Sequence, residues 1–276
     1  LVRVDADTGK ARQVATLDPQ AVMAQGGGRR FLLGNGFLTE VINLQSGEQR
    51  QLTVAPGARQ LWASPDGRTV WLLRQADPEN FALDSVDADT GKVTVDPSVK
   101  PGYIYRGSIS QDGQQLYLVG AWQGSNYLKV VDLRERHVLK AHTLLGDPGA
   151  VISVAAGQSD HVYAVGTGWL LAVDPHKAEP GDLLQVPGLT PQAVLTPDGR
   201  SLIAARAGGG LVVIDPSNGR ELRRVSGGAD YQRLFWSEDG RVLYAETGGT
   251  LEVRSQGRLE QIKSPISLSG LPSPSH

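Results

Sequence analysis

Short apolar runs alternate with tight polar turns along almost the whole chain, and two turn phrases recur. In the first phrase, an apolar run ends in Ser or Thr and Asp-Gly follows, at residues 64–68, 110–114, 196–200 and 237–241. In the second, an alternating run ends in Asp and a Gly turn follows, at residues 4–10, 86–92 and 214–220. Asp and Asn side chains bond back to the backbone, and Gly accepts a positive φ. Both phrases therefore predict β-hairpins.

Residues 192–225 form the clearest repeat. Four strand-like runs, named strands A to D of a repeat, cover residues 192–195, 202–205, 211–214 and 221–225. The turn glycines Gly67 and Gly113 are 46 residues apart, and Gly199 and Gly240 are 41 residues apart. A period of this length with four strands per unit is typical of an all-β propeller, a ring of four-stranded antiparallel sheets called blades.

The pattern contains six complete repeats, preceded by an isolated C and D pair in residues 1–17. Residues 264–270 have the length and alternation of one more strand A. We therefore predict seven blades, closed by pairing of the N- and C-terminal strands, with six blades as the alternative. The chain begins with Leu1 rather than Met and in the middle of a repeat, so we expect a removed leader or a fragment, and strand B of the shared blade would precede Leu1. Residues 1–270 are predicted to be a single domain, and the Pro/Ser-rich residues 271–276 a disordered tail.

Composition narrows the choice of partner. The 27 basic and 29 acidic residues are spread without blocks and give a net charge of −2, so we predict no nucleic-acid footprint. No apolar stretch approaches the roughly 20 residues that span a bilayer. The chain has no cysteine, which fits an exported protein but also many cytosolic domains.

The repeat phrases resemble those of a known family. Ser-Pro-Asp-Gly-Arg at 64–68, between apolar runs, and Val-Val-Ile-Asp-x-x-x-Gly-Arg at 212–220 resemble the YVTN-type seven-bladed propellers. These occur in surface-layer proteins, and similar rings form amine dehydrogenase subunits and bacterial lactonases. The resemblance implies a location outside the cytoplasm, in the periplasm, at the cell surface or secreted. Its motifs form turns and strands, so they indicate fold rather than activity.

Topology places the irregular segments at one end of the ring. The A–B and C–D turns lie at one end, named the turn face, and the B–C and D–A connections lie at the other, named the loop face. The B–C segments 74–82 and 121–126 and the D–A segment 96–105 depart from the repeat. Irregular loops often carry function. We predict that their aromatic side chains bind a partner, namely Phe81, Tyr103, Tyr105 and Trp122. Alternatively, these rings cover small clusters within their own loops.

A polar group is predicted at the mouth of the central channel, which strand A lines. Counting seven residues back from each A–B turn glycine gives Gln60, Arg106, Gln192 and Arg233. Two guanidinium groups with two amides favour an anion such as a carboxylate or a phosphate, and Tyr105 and Tyr231 flank them. Alternatively, each arginine pairs with a neighbouring carboxylate and ties two blades together.

Signals for catalysis, metal ions and cofactors are poor, and we predict none of the three. His137 and His142 would place their rings on opposite faces of a strand, and no Gly-x-Ser-x-Gly motif is present. Asp5/Asp7 and Asp87/Asp89 resemble calcium ligands, but Asp in such turns usually bonds to the backbone. Four tryptophans are predicted to fill the wedges between blades, namely Trp62, Trp71, Trp169 and Trp236.

The leading prediction is a non-catalytic propeller outside the cytoplasm that binds a protein partner or an envelope component through the loop face. The alternative is an enzyme or enzyme subunit, either a lactonase-like hydrolase or a subunit of a redox complex. That alternative requires an anionic small molecule at the channel, with an acid or base near Arg106 and Arg233.

Overall fold

The computed structural model of the chain describes residues 2–4, 11–13, 22–26, 29–34, 38–43, 48–53, 58–75, 81–95, 103–110, 112–144, 153–156, 162–174, 177, 181–227, 230–237, 240–247, 250–262 and 266–267. All regular elements within these ranges are β-strands.

The described strands form seven antiparallel sheets, numbered in chain order. Sheet 1 contains β1 (Val2–Val4) and β2 (Ala11–Gln13). Sheet 2 contains β3 (Val22–Gly26), β4 (Arg29–Gly34), β5 (Leu38–Asn43) and β6 (Gln49–Thr53). Sheet 3 contains β7 (Ala58–Ala63), β8 (Thr69–Gln75), β9 (Phe81–Asp87) and β10 (Val93–Thr94). Sheet 4 contains β11 (Tyr103–Ile109), β12 (Gln115–Trp122), β13 (Ser125–Asp132) and β14 (His137–Leu144).

The remaining sheets continue the series. Sheet 5 contains β15 (Ser153–Ala156), β16 (Val162–Gly166), β17 (Trp169–Val173) and β18 (Leu183–Gln185). Sheet 6 contains β19 (Leu189–Leu195), β20 (Leu202–Arg206), β21 (Leu211–Asp215) and β22 (Arg220–Val225). Sheet 7 contains β23 (Tyr231–Trp236), β24 (Val242–Thr247), β25 (Thr250–Ser255), β26 (Arg258–Ile262) and β27 (Ile266–Ser267).

Sheets 2 to 6 are four-stranded blades whose strands follow one another in chain order. Consecutive sheets touch through their first strands: β3 contacts β7, β11 contacts β15, β15 contacts β19, and β19 contacts β23. In sheets 2 to 7 the first strand is therefore the innermost one, as in a propeller. This confirms the predicted all-β propeller.

The core lies between the sheets, where consecutive blades share hydrophobic clusters. In β8, Leu72 packs in the cluster that sheet 3 shares with sheet 2, and Leu73 packs in the cluster shared with sheet 4. Both side chains are at most 1% exposed, because successive strand residues face opposite sides and both sides are covered. Burying one leucine stabilises the fold by about 1.5–3 kcal/mol. Burial on both faces explains why middle strands are continuously apolar.

The A–B turns are closed by their own side chains. Ser64 Oγ donates to Asp66 Oδ1 at 2.6 Å and accepts from the Thr69 amide at 2.9 Å. Asp66 Oδ1 also accepts from the Arg68 amide at 3.0 Å. The turns that begin at Ser110 and Thr196 repeat these three bonds. The recurring phrase is therefore a turn in which the hydroxyl and the carboxylate add side-chain hydrogen bonds to those of the backbone.

Turns of neighbouring blades also pack against each other on the turn face. A Cβ atom added to Gly113 would lie 2.6 Å from Pro65 Cδ, and one added to Gly240 would lie 2.7 Å from Pro197 Cγ. Both glycines have positive φ, at 72° and 69°. The proline of one repeat thus occupies the space beside the turn glycine of the next repeat.

The predicted blade count and ring closure are wrong. Five sheets are four-stranded blades, whereas sheet 7 has five strands and sheet 1 has two, so neither seven nor six four-stranded blades are formed by the described residues. The segment predicted as a further strand A contributes β27, which pairs with β25 through Leu251–Ile266 and Thr250–Ser267. Because β26 pairs with the other end of β25, β27 extends the outer edge of sheet 7 and does not pair with the N-terminal strands. At the N-terminus, β1 and β2 pair with each other where the sequence predicted two strands, and their assignment as strands C and D stays a prediction.

Two of the predicted irregular segments are more regular than expected. The B–C segment at 121–126 is a tight hairpin, because β12 continues to Trp122 and β13 begins at Ser125. Only Gln123 and Gly124 connect them, with φ of 48° and 79°, which suits a two-residue hairpin turn. The D–A segment 96–105 ends early, since β11 begins at Tyr103. Residues 76–80, 96–102 and the tail 271–276 lie outside the described residues.

The four tryptophans predicted to fill the wedges pack between blades. Trp62 of β7 lies in the cluster shared by sheets 3 and 4, where a Cβ on Gly107 would lie 2.4 Å from its ring. Trp236 Nε1 of β23 donates to the Leu195 carbonyl of β19 at 2.7 Å. These contacts fix the approach of neighbouring first strands.

Candidate binding site at the bulged starts of the first strands

Four first strands share an irregularity where they begin, on the loop face. The register of pairing with the second strand shifts between Ala58 and Gln60 in β7, and between Ile104 and Arg106 in β11. It also shifts between Leu189 and Ala193 in β19, and between Tyr231 and Arg233 in β23. Such β-bulges insert extra residues, bend the strand and redirect side chains, and they are common beside functional sites.

All four residues of the predicted channel group lie at these bulges. Gln60, Arg106 and Arg233 directly follow the shift, and Gln192 lies within it. Arg106 is exposed, Arg233 is 51% exposed, and the two glutamines are half-buried. The structure therefore brings the group to one end of the first strands, while its binding role stays a prediction.

Sequence counting missed two neighbouring residues. Arg59 and Gln232 are the residues inserted by the bulges of β7 and β23, and both are exposed. They lie eight residues before their turn glycines, one position earlier than the residues that were counted. Strict strand alternation would place positions seven and eight on opposite faces, so only the observed bulge makes both of them candidates.

Among the described residues, the arginines at the bulges have weak partners or none. Arg233 Nε lies 3.8 Å from Glu246 Oε2, its partner residue across β23 and β24, which is an ion pair beyond hydrogen-bond reach. Arg59 Nη2 donates to Gln75 Oε1 at 3.5 Å. Arg106 makes no ion pair or hydrogen bond within the described part of the chain. The predicted alternative of pairing therefore applies to Arg233, but within one sheet rather than between two blades.

The bulges lie where neighbouring sheets meet. Gln60 Nε2 of β7 donates to the Ile104 carbonyl of β11 at 3.5 Å. This contact places the start of sheet 3 against the start of sheet 4, so Arg59, Gln60 and Arg106 belong to one region of the loop face.

The predicted aromatic group is only partly described. Phe81 is the first residue of β9, is 9% exposed and packs in the cluster between sheets 3 and 4. For Phe81 the expectation of an exposed loop ring is wrong, because the strand begins earlier than the sequence suggested. Tyr103 and Tyr105 lie in β11 and Trp122 ends β12, while their side chains lie outside the described part of the structure.

A buried polar cluster supports the start of β23. Tyr231, which the sequence placed beside the channel group, is 4% exposed and donates to Glu252 Oε2 at 2.6 Å. Arg254 is fully buried, pairs with Glu252 at 2.7 Å and donates to the Ser226 carbonyl at 2.9 Å. Burial, and then the bond to Glu252, raise the pKa of Tyr231 to about 12. The tyrosine therefore anchors the bulge that carries Gln232 and Arg233.

Arg74, a further arginine near the loop face, has a structural role. Arg74 donates from Nε and Nη2 to the two oxygens of Asp84, at 2.7 and 3.3 Å. Asp84 is 1% exposed, and its hydrogen bond raises the pKa of Arg74. This two-point bond satisfies a buried carboxylate and leaves little of Arg74 for a ligand.

The candidate calcium ligands have structural roles where they are described. Asp87 Oδ1 accepts from the Asp89 amide at 3.0 Å, and from the amide and hydroxyl of Thr90 at 2.7 and 2.8 Å. These bonds, led by the one from the Thr90 amide, lower the pKa of Asp87. Asp5 and Asp7 lie outside the described residues. Within those residues, no group of three or more His, Asp or Glu could hold a metal ion.

Comparisons with known proteins identify the fold alone. No protein-family model matches the sequence, and no curated protein is significantly similar to it. A hydrazine synthase chain of Kuenenia stuttgartiensis superposes with a TM-score of 0.72 at 15% identity, covering 93% of this chain and 89% of that chain. The β-propeller domain of Cps50 (Swd1) from Myceliophteria thermophila superposes with a TM-score of 0.70 at 14% identity, covering 92% and 90%. The chain is a β-propeller.

The likeness is too general to identify an activity, since 1548 solved chains are significantly similar in structure. Identities this low support a shared architecture and leave the site to be argued from its own residues. Among the described residues no helix is long and apolar enough to cross a membrane.

Proposed function

We propose that this propeller is a non-catalytic binding module that docks a partner protein on its loop face. One observation carries the proposal: four first strands bulge at that face and present exposed or half-buried polar side chains there. Regular repeats need no such bulges for packing, as β3 and β15 pair without a shift. Bulges that recur at one end are typical of a surface adapted for recognition.

The turn face supports the same choice by contrast. Its A–B turns use Ser64, Ser110 and Thr196 to bond the following Asp, and that Asp to bond the backbone. Polar groups that are already bonded to each other offer a partner little gain, because binding would only exchange one hydrogen bond for another.

A location outside the cytoplasm is part of this proposal. It rests on the resemblance of the repeat phrases to YVTN-type propellers, many of which are exported. Fractionation of the source cells with antibodies against the chain tests it, and recovery with cytoplasmic markers would contradict it.

Site-specific photo-crosslinking tests the docking face. A photoreactive residue is placed at exposed positions in loop-face connections, Pro187 or Ala207, and at exposed control positions on the turn face, Arg134 or Arg200. We expect the same protein from the native envelope fraction to be captured from both loop-face positions and from neither control. Capture from the controls, or no capture from either face, would overturn the proposal.

A further inference from the structure

Resting on this proposed function, we infer that the loop face recognises an acidic segment of the partner protein. Three exposed arginines, Arg59, Arg106 and Arg233, would bind its carboxylates. No carboxylate occupies a bulge position in the described first strands. Two described acidic residues lie next to a bulge. Asp230 directly precedes β23 in the chain, and Glu246 pairs with Arg233 across β23 and β24. The side-chain charge at the bulges is therefore mainly positive, which favours an anion as the ligand.

The contacts of these arginines leave them available. Arg106 has no hydrogen bond or ion pair within the described residues, Arg59 has one hydrogen bond of 3.5 Å, and Arg233 has one ion pair of 3.8 Å. A ligand carboxylate can bond a guanidinium at two points, with N···O distances of about 2.8 Å, and would displace only these weak contacts. By contrast, Arg74 and Arg254 are bonded at 2.7 Å to buried carboxylates.

The amides favour a peptide over a single small anion. Gln60, Gln192 and Gln232 lie beside the arginines or at the neighbouring bulge, and each amide both donates and accepts. An extended peptide presents backbone N–H and C=O groups as well as side chains, which suits a mixture of amides and guanidiniums. A single anion would accept from the guanidiniums and the amide N–H groups but would leave the amide carbonyls without a donor.

The positions of the bulges imply a ligand several residues long. The residues fall in two regions, one on sheets 3 and 4 and one on sheets 6 and 7. The Gln60–Ile104 bond joins the starts of the first two sheets, and β19 lies against β23 in the last two. A two-point bond to one guanidinium uses both oxygens of a carboxylate, so three arginines are matched better by several carboxylates than by one. A segment with several acidic side chains supplies them.

Fluorescence anisotropy with labelled hexaglutamate, hexaglutamine and hexalysine tests the inference on the full chain. The test variant is Arg59→Gln/Arg106→Gln/Arg233→Gln, and the control is Arg68→Gln/Arg134→Gln/Arg200→Gln, which removes the same charge from exposed turn-face positions. We expect hexaglutamate binding to weaken at least tenfold in the test variant and less than twofold in the control. Binding should also weaken with added salt.

The remaining outcomes are also decisive. If hexaglutamate binding weakens equally in the test and control variants, the effect is one of net charge and the inference is overturned. The inference is also overturned if the wild-type chain binds hexaglutamine as tightly as hexaglutamate. Inorganic phosphate that displaces the peptide completely at equal concentration would identify a single-anion site instead. The single variant Arg106→Gln, which breaks no described contact, repeats the test if the triple variant does not fold. If crosslinking from Pro187 and Ala207 succeeds while hexaglutamate does not bind, the docking face stands and only the acidic partner is rejected.

Discussion

Arginine side chains in this propeller divide by burial and pairing into two groups with different consequences. Arg254 is fully buried and bonds Glu252, the Ser226 carbonyl and the Leu259 carbonyl. Arg106 is exposed without a described partner. Removing one partner of a buried pair leaves an uncompensated charge, whereas an exposed charge is solvated either way.

We therefore expect Arg254→Met to lower the free energy of unfolding by about 3–5 kcal/mol. Arg106→Gln should change it by less than about 0.5 kcal/mol. Urea unfolding followed by circular dichroism measures both variants. A comparable loss in Arg106→Gln would mean that Arg106 has a structural role, which would argue against its being available to a ligand.

Tyr231 connects the same buried cluster to pH. Its folded pKa of about 12 lies above the ordinary value of 10.0, so the proton is held more tightly in the folded state. This contribution is fully present below about pH 10 and is lost as pH rises towards 12. Tyr231→Phe should cost about 1–2 kcal/mol at neutral pH, because Glu252 loses a donor. It should also flatten the decline in stability above pH 10.

The control for that prediction is Tyr117→Phe. The Tyr117 hydroxyl donates to the neutral Gln115 side chain at 2.7 Å, in a partly buried setting. Tyr117→Phe should therefore lower the free energy of unfolding by less than Tyr231→Phe does. Urea midpoints measured from pH 7 to 11.5 would contradict the argument if Tyr231→Phe kept the full alkaline slope of the wild type.

At the scale of single elements, the A–B turn is the unit that joins one repeat to the next. Gly113 and Gly124 both have positive φ, 72° and 79°, so alanine is strained at either position. Only at Gly113 would the new Cβ also meet a neighbour, Pro65 Cδ at 2.6 Å, since nothing lies within 4 Å of it at Gly124.

Gly124→Ala should therefore cost about 1–2 kcal/mol, and Gly113→Ala should cost about 1–3 kcal/mol more because of overpacking. Adding Pro65→Ala to Gly113→Ala should recover part of that excess in a double-mutant cycle of urea unfolding energies. Equal losses at the two glycines would show that the turns of neighbouring blades are not coupled.

Turn carboxylates make both the A–B and the C–D turns sensitive to acid. Hydrogen bonds from the Ser64, Thr196 and Ser217 side chains are the main cause that lowers the pKa values of Asp66, Asp198 and Asp215. Their stabilisation is present above the unfolded pKa near 4 and is lost as pH falls through the folded value. Asp198→Asn should be less stable than wild type at pH 7, and the difference should narrow towards pH 2. Thermal midpoints of Asp198→Asn and wild type, measured across this pH range, test the argument. A difference that stays constant with pH would refute it.

For the whole molecule, local sequence signals predicted the strands and turns, but they could not predict which distant strands pair. Alternation and Asp-Gly turns depend on a few adjacent residues, so hairpins such as Leu202–Asp215 were placed correctly. Residues 264–270 carry the alternation of a first strand, yet β27 pairs at the outer edge of sheet 7, because pairing depends on which edge is near. The spacing rule found Arg106 and Arg233 but could not reveal an inserted residue such as Arg59.

The outer position of β27 predicts how the molecule responds to loss of its C-terminal segment. In arrays of repeats each unit is stabilised mainly by its neighbours, so damage at one edge should remain local. Truncation after Lys263 removes the β27 partners of Thr250 and Leu251, while their β24 partners remain. Because the amides of successive strand residues face opposite neighbouring strands, we expect hydrogen exchange to accelerate at least tenfold at the one of these two amides that faces β27, with no change in β1 and β2.

The control is Gln256→Ala, an exposed position in the turn between β25 and β26, which should leave exchange unchanged in both regions. Faster exchange at Val2–Val4 or Ala11–Gln13 after truncation would mean that the C-terminal segment supports the N-terminal pair. Protection confined to sheet 7 would show that the outer edge, rather than pairing between the chain ends, is where this segment contributes its stability.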